Sequence, residues 1–285
     1  MADLMSKTAL VTGGGTGIGF GIAAKLMEAN AQVTIAGRRE DVLNEAAERL
    51  DASVSSSGNI KVVCCDVTDA LAVRNAVEVA ANDEGVLDIA VANAGIGAGG
   101  PFLTMTDETL RSVLEVNVVG AFNTIQAAAE TMRSSGGSII AISSIAGALG
   151  GRFRAAYASS KAALDMLVRS AADELGGFGI RINSIRPGVV ESEATAMMFE
   201  HMPHIIDDYK KNMPLGRVGE PEEVGDAVVW LAGSGSSWVT GQNIAVEEDI
   251  PPKTPRLEPA IRAAWVTKSI QNFRNLGLGP MAKVF

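Results

Sequence analysis

The chain has 285 residues, of which 47% are apolar and 20% are charged, and its formal net charge is −9. This apolar content can fill a large core and excludes a disordered chain, and the negative charge argues against nucleic acid as a main partner. The length is compatible with a single α/β domain.

The two cysteines, Cys64 and Cys65, are adjacent and lie in an apolar run. Adjacent cysteines bridge only with strain, so both are predicted to be buried free thiols in a reducing compartment. His201 and His204 have no matching carboxylate cluster, and no metal site is expected. Because the sequence has neither a signal-peptide layout nor an apolar run of about 18 residues, it predicts a cytoplasmic protein without a membrane partner.

The first predicted element is a short buried strand at residues 8–12, which runs into a glycine-rich turn and then a helix. Backbone N–H groups of such a turn can approach a pyrophosphate, and the helix N-terminus adds the positive end of its dipole. A flexible turn without a ligand is the alternative, but the flanking strand and helix favour a dinucleotide. The residues predicted to hold it are Gly13, Gly15, Thr16, Gly17, Ile18 and Gly19.

The second predicted strand ends in Gly37, Arg38 and Arg39. In dinucleotide-binding folds the end of this strand distinguishes NAD from NADP. An acidic residue would accept the ribose hydroxyls of NAD, whereas glycine followed by arginines leaves room for a 2′-phosphate and supplies forked donors. The sequence therefore favours NADP(H), with Arg38 ahead of Arg39, and NAD(H) stays possible. The alternative is that both arginines pair with Glu40 and Asp41 at the surface.

Strands and helices alternate through the rest of the body, which predicts an α/β fold with a parallel sheet. Further strands are expected at residues 32–36, 61–65, 87–92, 138–142, 181–185 and 240–246. Helices are expected near residues 41–50, 71–81 and 221–232 and from residues 107 and 157 onward, with a loop at residues 145–156.

Polar residues follow two of these strands, and a third lies inside a helix. Asp66 could accept the adenine amino group or cap the following helix. Asn93, Ala94 and Gly95 follow the fourth strand, at the edge where open α/β sheets bind ligands. Asn117 lies in an apolar helix, where an amide must be hydrogen-bonded, so it is either a structural bridge or part of a proton relay.

Tyr157 and Lys161 are four residues apart on one predicted helix and therefore lie on the same face. An ammonium beside a phenol favours the phenolate, which predicts a lowered tyrosine pKa and a group able to exchange a proton near neutral pH. An ordinary exposed helix face is the alternative for this pair taken alone.

Residues 191–214 are rich in methionine and follow the last substrate-side strand. Such a segment can act as a lid over an apolar pocket, and ordinary helical packing is the alternative. Residues 251–285 begin with a proline-rich linker and continue as an amphipathic helical pattern. They carry six basic residues and one acidic residue, a net +5, which leaves −14 on residues 1–250. This tail is expected to dock on the body or on a neighbouring subunit, in preference to a membrane surface.

Over about residues 7–246 the sequence resembles the short-chain dehydrogenase/reductase family, whose motifs occur here in order. The resemblance implies a doubly wound, seven-stranded parallel Rossmann fold in three α/β/α layers, with residues 1–250 as the catalytic domain and residues 251–285 as an extension. It also implies a homotetramer or homodimer. The family's catalytic tetrad matches Asn117, Ser144, Tyr157 and Lys161. Its cofactor positions match the glycine loop and Asp66, Val67, Asn93, Ala94, Gly95, Tyr157, Lys161, Pro187, Gly188, Val190 and Ser192.

The resemblance assigns a role to each tetrad residue. It implies that Tyr157 is the general acid in reduction and the base in oxidation, and that Lys161 lowers the tyrosine pKa and holds the nicotinamide ribose. Ser144 would stabilise the developing alkoxide, and Asn117 would hold a water that links Lys161 to solvent. The chain departs from the family in having Glu247, Glu248 and Asp249 where an Asp-Gly-Gly turn is usual.

The predicted function is an NADP(H)-dependent oxidoreductase that interconverts a secondary alcohol and a ketone. The methionine-rich segment suggests a medium-sized, largely apolar small-molecule substrate, such as a 3-oxoacyl thioester or a steroid. An NAD-linked alcohol dehydrogenase of the same fold and a non-catalytic dinucleotide-binding regulator are the alternatives.

Overall fold

The computed structural model describes residues 3–53, 60–192, 195–196, 200 and 203–247. Its strands are β1 (Thr8–Thr12), β2 (Gln32–Gly37), β3 (Ile60–Cys64), β4 (Ile89–Ala92), β5 (Gly137–Ile142), β6 (Ile180–Pro187) and β7 (Asn243–Val246). Its α-helices are α1 (Gly17–Glu28), α2 (Glu40–Ser53), α3 (Ala70–Ala80), α4 (Asp107–Leu114), α5 (Ala121–Met132), α6 (Ala146–Leu149), α7 (Ala155–Leu175), α8 (Pro203–Asn212) and α9 (Pro221–Ala232). The strands and helices predicted for residues 8–246 are present, with small shifts at their ends.

The seven strands form one parallel sheet in the order β3-β2-β1-β4-β5-β6-β7. The order reverses between β1 and β4, so the turns that follow these two strands leave the carboxyl edge side by side. This confirms the predicted doubly wound fold and creates the crevice where such sheets bind ligands.

A hydrophobic core lies on each face of the sheet. Alternate residues of β1 serve the two cores: Val11 packs in the cluster that contains α1 and α9, and Leu10 packs in the cluster that contains α3, α5 and α7. Both side chains are fully buried, and burial of a residue of this size contributes about 1.5–3 kcal/mol. The three layers therefore follow from the apolar residues on both sides of every central strand.

Helix α1, which follows the glycine-rich turn, is fixed by its close crossing with α9. A Cβ atom on Gly21 would lie 2.5 Å from Pro221, and one on Gly225 would lie 2.5 Å from Lys25 Cγ. Helix α9 begins with a capping box between Glu220 and Glu223, which satisfies its first N–H groups. Together these contacts hold the N-terminus of α1 at the carboxyl edge of the sheet.

Three expectations were wrong in detail. The predicted loop at residues 145–156 contains the short helix α6, and the helix that carries Asn117 is a π-helix over Glu115–Gly120. Cys65 is buried as expected, but Cys64 is exposed. The reason is that β3 lies at the edge of the sheet and pairs with β2 alone among the described strands, so Cys64 at its end stays exposed while Val63 before it is buried.

Other predictions concern residues that lie outside the described part of the chain. They are the tail at 251–285, the acidic residues Glu248 and Asp249, and His201, Met197, Met198 and Met202 of the predicted lid. In the described part of the chain, no helix is long and apolar enough to cross a membrane. The same residues include no group of three or more metal-ligand side chains placed to hold an ion.

Candidate active site

The glycine-rich turn after β1 has a backbone that only glycine adopts readily. Gly13 and Gly17 have φ angles of 67° and 52°, in the left-handed region. A Cβ atom on Gly19 would collide with the carbonyl oxygen of Gly13. The first turn of α1 has no acidic residue, and the Thr16 side chain forms no capping hydrogen bond. The positive end of the helix therefore faces a space that accepts an anion.

The turn after β4 is tied to this loop by side-chain hydrogen bonds. Thr12 Oγ1 accepts from the backbone N–H groups of Asn93 and Ala94 at 3.1 and 3.2 Å. The Asn93 amide in turn donates to the carbonyl oxygens of Thr12 and Gly13 at 2.8 and 3.2 Å. Asn93 therefore braces the two turns that border the crevice, and the adjacent Gly95 is exposed there.

The segment after β6 lies across the same crevice. A Cβ atom on Gly17 would lie 3.2 Å from Ser192 Cβ, so Ser192 stands over the start of α1. Gly188 donates its N–H to the Val246 carbonyl at 3.1 Å, and Val190 is buried beside Gly219. The structure thus brings Ser192, one of the predicted nicotinamide-side residues, next to the predicted phosphate loop.

At the other end of the crevice, Arg38 and Arg39 are exposed after β2. Among the described residues, no ion pair joins either arginine to Glu40 or Asp41, which removes the support for surface pairing. Arg38 is close enough to Asp66 that its charge contributes to that carboxyl's low pKa.

Asp66 lies beside this arginine, after β3. Hydrogen bonds from the Thr68 backbone and hydroxyl, with the charge of Arg38, hold the pKa of Asp66 below its ordinary value against the opposing effect of burial. Helix α3 is capped by Asp69, which accepts from the N–H groups of Leu71 and Ala72. The capping role considered for Asp66 is therefore wrong, and one oxygen of its carboxylate stays available for a ligand. The next residue, Val67, is buried against Gly120.

Two serines end β5, and they have different environments. Ser143 is buried, and its Oγ donates to the Lys161 carbonyl oxygen at 3.2 Å, which ties the end of β5 to α7. Ser144 Oγ accepts from the Ala146 N–H at 3.1 Å, and its hydroxyl is near enough to the Tyr157 phenol to lower that group's pKa. Ser144 is thus the serine that reaches Tyr157, as the resemblance implied.

The predicted lowering of the Tyr157 pKa is wrong for this structure. Burial raises the pKa of the phenol more than the hydrogen bond from Ser144 and the charge of Arg154 lower it. The Lys161 ammonium lies 5.7 Å from the centre of the tyrosine ring and donates to the Ile142 carbonyl oxygen at 2.8 Å. The spacing of four residues gave the shared face correctly but did not reveal the competing effect of burial.

Lys161 is itself strongly perturbed. Lys161 is only 5% exposed. Burial lowers the pKa of its ammonium from 10.5 to about 8, although the carboxylate of Asp165 acts to raise that pKa. A buried amine with such a pKa changes its protonation state near the pH of most cells and is a typical feature of functional sites.

Asn117 forms a structural bridge. It is 1% exposed, its Oδ1 accepts from the Ile96 N–H at 2.7 Å, and its Nδ2 donates to the Ile96 carbonyl at 2.8 Å and to Ser160 Oγ at 2.9 Å. Ser160 Oγ donates in turn to the Tyr157 carbonyl at 2.7 Å. The π-helical turn therefore connects the loop after β4 to the helix that carries Tyr157 and Lys161, and such turns are frequent at functional sites.

The carboxyl edge of the sheet combines an anion-accepting helix end, Asp66 after β3, Ser192 beside the start of α1, and a serine–tyrosine–lysine group after β5 and on α7. A dinucleotide fits this arrangement, because glycines stand where side chains would block the approach to the backbone. The fold and the site together define a nicotinamide dinucleotide-binding oxidoreductase.

Comparison with known proteins gives the family. The family model described as Enoyl-(Acyl carrier protein) reductase matches residues 13–248. A 3alpha-hydroxysteroid dehydrogenase of Mediterraneibacter gnavus is 35% identical over 86% of this chain and 96% of its own length. A 3-oxoacyl-(acyl-carrier-protein) reductase of Chlamydia muridarum is 34% identical over 86% of this chain and 97% of its own. The chain belongs to the short-chain dehydrogenase/reductase family.

Solved structures agree with this assignment. A short-chain dehydrogenase/reductase from Mycobacterium marinum superposes with a TM-score of 0.79 at 35% identity and covers 86% of this chain and 95% of its own. A variant of the actinorhodin polyketide ketoreductase, determined with NADPH, superposes with a TM-score of 0.81 at 29% identity over 88% of this chain and 99% of its own. The protein is therefore an oxidoreductase that acts on CH–OH and C=O groups with a nicotinamide dinucleotide, and the non-catalytic reading has no support here.

Several residues that build the site were missed by sequence reasoning. Thr12, Ser143 and Ser160 provide hydrogen bonds that hold the turns and α7 in place, and Asp165 acts on the charge of Lys161. Thr12 immediately precedes the glycine-rich turn, and Ser143 immediately precedes the predicted catalytic serine, Ser144. Asp165 had a detectable signal as well, since it is a carboxylate one further turn along the face shared by Tyr157 and Lys161.

Proposed function

We propose that the protein interconverts a secondary alcohol and a ketone with Tyr157 as the acid and base. In reduction, Tyr157 gives its phenolic proton to the carbonyl oxygen, and the Ser144 hydroxyl donates a hydrogen bond to the same oxygen as negative charge develops there. Lys161 holds the nicotinamide ribose and supplies positive charge beside the phenol. A bound nicotinamide supplies or accepts the hydride. The observation that carries the proposal is the meeting of three groups: Lys161 Nζ lies 5.7 Å from the centre of the Tyr157 ring, and the Ser144 hydroxyl is near enough to the phenol to act on its pKa.

The other predicted cofactor-binding positions divide along the crevice. The phosphate group would lie on the glycine-rich turn, the adenine against Asp66 and Val67, and the nicotinamide between Gly95 and Ser192. The residues proposed to border the nicotinamide side are Asn93, Ala94, Gly95, Pro187, Gly188, Val190 and Ser192. Asn117 acts as the bridge that keeps α7 beside this crevice.

We propose NADP(H) as the preferred cofactor, because two exposed arginines follow a glycine at the end of β2. An Arg38→Ala variant is expected to bind NADPH about 10- to 100-fold more weakly, the loss expected for one charge-assisted hydrogen bond, and to bind NADH within about threefold of the wild-type protein. Titration calorimetry with both cofactors measures this. Arg39→Ala identifies whether the second arginine contributes, and Arg111→Ala, in an exposed ion pair on α4, is the matched control. Equal affinity of the wild-type protein for the two cofactors would end the NADP proposal.

We propose a medium-sized, largely apolar ketone or alcohol as the substrate. The loops after β4 and β5 are joined by the hydrogen bond from Gly100 N–H to the Phe153 carbonyl at 2.9 Å. Beside these loops Phe102, Leu103 and Leu149 expose large apolar side chains. The relatives named for steroid, 3-oxoacyl and polyketide substrates agree with an apolar pocket entrance.

The test is turnover of purified protein with NADPH and NADH across a panel of acetoacetyl thioesters, cyclic ketones, steroids and sugars. NADPH-dependent reduction that is fastest with steroids or thioesters is expected. Fastest turnover of sugars would contradict the apolar substrate, and turnover of none of the panel would place the substrate outside these classes.

We also propose that the protein is a cytoplasmic homotetramer or homodimer. Large apolar side chains are exposed on helices of both outer layers, with Phe122 on α5 and Met166 on α7 on one face of the sheet and Trp230 on α9 on the other. Contact with further copies of the chain would remove these surfaces from water. Light scattering is expected to give a multiple of the 29.5 kDa chain mass, and a monomer at micromolar concentration would contradict the proposal.

A further inference from the structure

A buried carboxylate stands one helical turn beyond Lys161, on the same face of α7. Asp165 is 4% exposed and accepts hydrogen bonds from two strands. Its Oδ1 accepts from Ser184 Oγ at 2.8 Å and from Asn243 Nδ2 at 3.1 Å, and its Oδ2 accepts from Arg186 Nε at 2.7 Å. This network joins α7 to β6 and β7.

The partners of Asp165 connect it to the nicotinamide side of the crevice. Arg186 immediately precedes Pro187 and Gly188, which begin the segment that passes over α1. Asn243 also donates to Ser184 Oγ at 2.6 Å and accepts from Arg169 Nε at 2.7 Å, so the carboxylate is held in one orientation. A carboxylate fixed and dehydrated in this way acts on neighbouring charges more strongly than one in water.

We propose that Asp165 is a positioning residue of the active site, which fixes α7 against the strand end at Pro187 and, together with the opposite charge of Arg186, sets the charge state of Lys161. This inference rests on the proposed role of Lys161. It concerns neither the tyrosine nor the serine directly, because the contacts of Asp165 lie on the far side of the lysine.

The charged groups around Lys161 make the direction of each effect calculable. Asp165 on α7 stabilises the ammonium. Arg186 on β6 pairs with that carboxylate at 2.7 Å, so its positive charge is expected to oppose the effect of Asp165 on the lysine. Tyr157 and, beyond it, Arg154 lie on the other side of the lysine. The π-helical turn presents the neutral Asn117, and β5 presents the Ile142 carbonyl, neither of which titrates.

Two single variants should therefore move Lys161 in opposite directions. Asp165→Asn removes the anion and leaves the arginine, so the pKa of Lys161 is expected to fall from about 8 by about one pH unit. Arg186→Gln removes the cation and leaves the anion, so the pKa is expected to rise by a similar amount, about one pH unit. The double variant removes both charges and should return to a value near that of the wild-type protein.

The direct measurement is the pH titration of the Lys161 Nζ signal by NMR in protein labelled with 15N-lysine, assigned by its loss in Lys161→Met. The high-pH limb of kcat/KM for ketone reduction is the second readout and should move in the same directions. Asp173→Asn, an exposed aspartate farther along α7, is the matched control and should move neither. If one single variant folds poorly, the other still gives a predicted direction for the Lys161 titration, and a shift the other way or no shift contradicts the inference.

Shifts in the same direction, or no shift, in the two single variants would overturn the inference, because a purely structural role predicts loss of activity without opposite titrations. Failure of the proposed function looks different. If Lys161→Met keeps full turnover, or if Nζ titrates as expected while the kcat/KM limb stays fixed, the role of Lys161 is wrong and the effect of Asp165 on its charge stands.

Discussion

A Tyr157→Phe variant is expected to lose turnover by about a thousandfold, the usual contribution of a positioned proton donor, while it binds the dinucleotide as tightly as the wild-type protein. Phenylalanine keeps the packing of the ring, so the change removes the phenolic hydroxyl with its proton and little else. Steady-state turnover and cofactor titration on the same preparation measure both quantities.

The control is Tyr209→Phe, which changes the other of the two tyrosines in the chain. It lies on α8 and should leave turnover within a few-fold of the wild-type protein. If Tyr157→Phe retains more than about a tenth of wild-type turnover, another group transfers the proton and Tyr157 is not the acid.

The pH dependence of the two reaction directions follows from the same residue. Burial raises the pKa of Tyr157, so the phenol carries its proton at neutral pH, which is the form that reduction needs. Oxidation needs the phenolate, and its rate is therefore expected to increase as the pH rises above neutrality. Parallel pH profiles for reduction and oxidation would contradict this assignment.

The fold could be predicted from the sequence because its signals are local. A buried run such as Ala9 to Val11, followed by glycines and then helical spacing, specifies a strand, a turn and a helix within about twenty residues. Repetition of that pattern leaves the doubly wound parallel sheet as the natural arrangement. The exposure of Cys64 could not be predicted in this way, because it depends on β3 being at the edge of the sheet.

The candidate site was predictable where one element carries the chemistry and unpredictable where several elements meet. Tyr157 and Lys161 share a helix, so their common face follows from spacing. The contact of Asp165 with Arg186 joins residues 21 positions apart, and only the packing of α7 on β6 brings them together. The direction of the Tyr157 pKa shift depends likewise on burial, which the spacing of two residues does not contain.

The role of Asn117 illustrates the same limit. Its position in an apolar helix indicated a hydrogen-bonded amide, and the structure supplies the partners, Ile96 and Ser160. The π-helical geometry of that turn was not detectable, since its apolar residues fit ordinary helical spacing as well. A sequence pattern therefore identified the unusual residue and the geometry supplied its bridging hydrogen bonds, while its part in a proton relay stays a prediction.

A Lys161→Met variant is expected to be nearly inactive and yet more stable than the wild-type protein at pH 7. Methionine fills the same buried space without a charge, whereas the wild-type ammonium is buried at a cost that lowers its pKa from 10.5 to about 8. An active site that holds a dehydrated charge is thus predicted to reduce the stability of the fold that supports it.

The sign of the pH dependence follows from where the proton is bound. Between pH 8 and pH 10.5 the unfolded chain holds the Lys161 proton and the folded protein has released it, so the free energy of unfolding rises with pH across this window. Below pH 8 the full cost of burying the charged ammonium is present. The difference between the two pKa values corresponds to roughly 3 kcal/mol of unfolding free energy. Loss of the hydrogen bond to the Ile142 carbonyl offsets part of it, which leaves a net gain of about 1–2 kcal/mol at pH 7.

Urea unfolding of both proteins at pH 7 and at pH 10.5 measures this gain. The variant should be more stable at pH 7, and its advantage should disappear at the higher pH, where the wild-type lysine has lost its charge in the folded state. Lys161→Arg, which keeps a cation at the position, should show no gain at either pH. Loss of activity alone could reflect damaged packing. The decisive result is therefore loss of activity together with higher stability at pH 7. A variant equally destabilised at both pH values would show that Lys161 is held by favourable contacts and carries no buried charge at neutral pH.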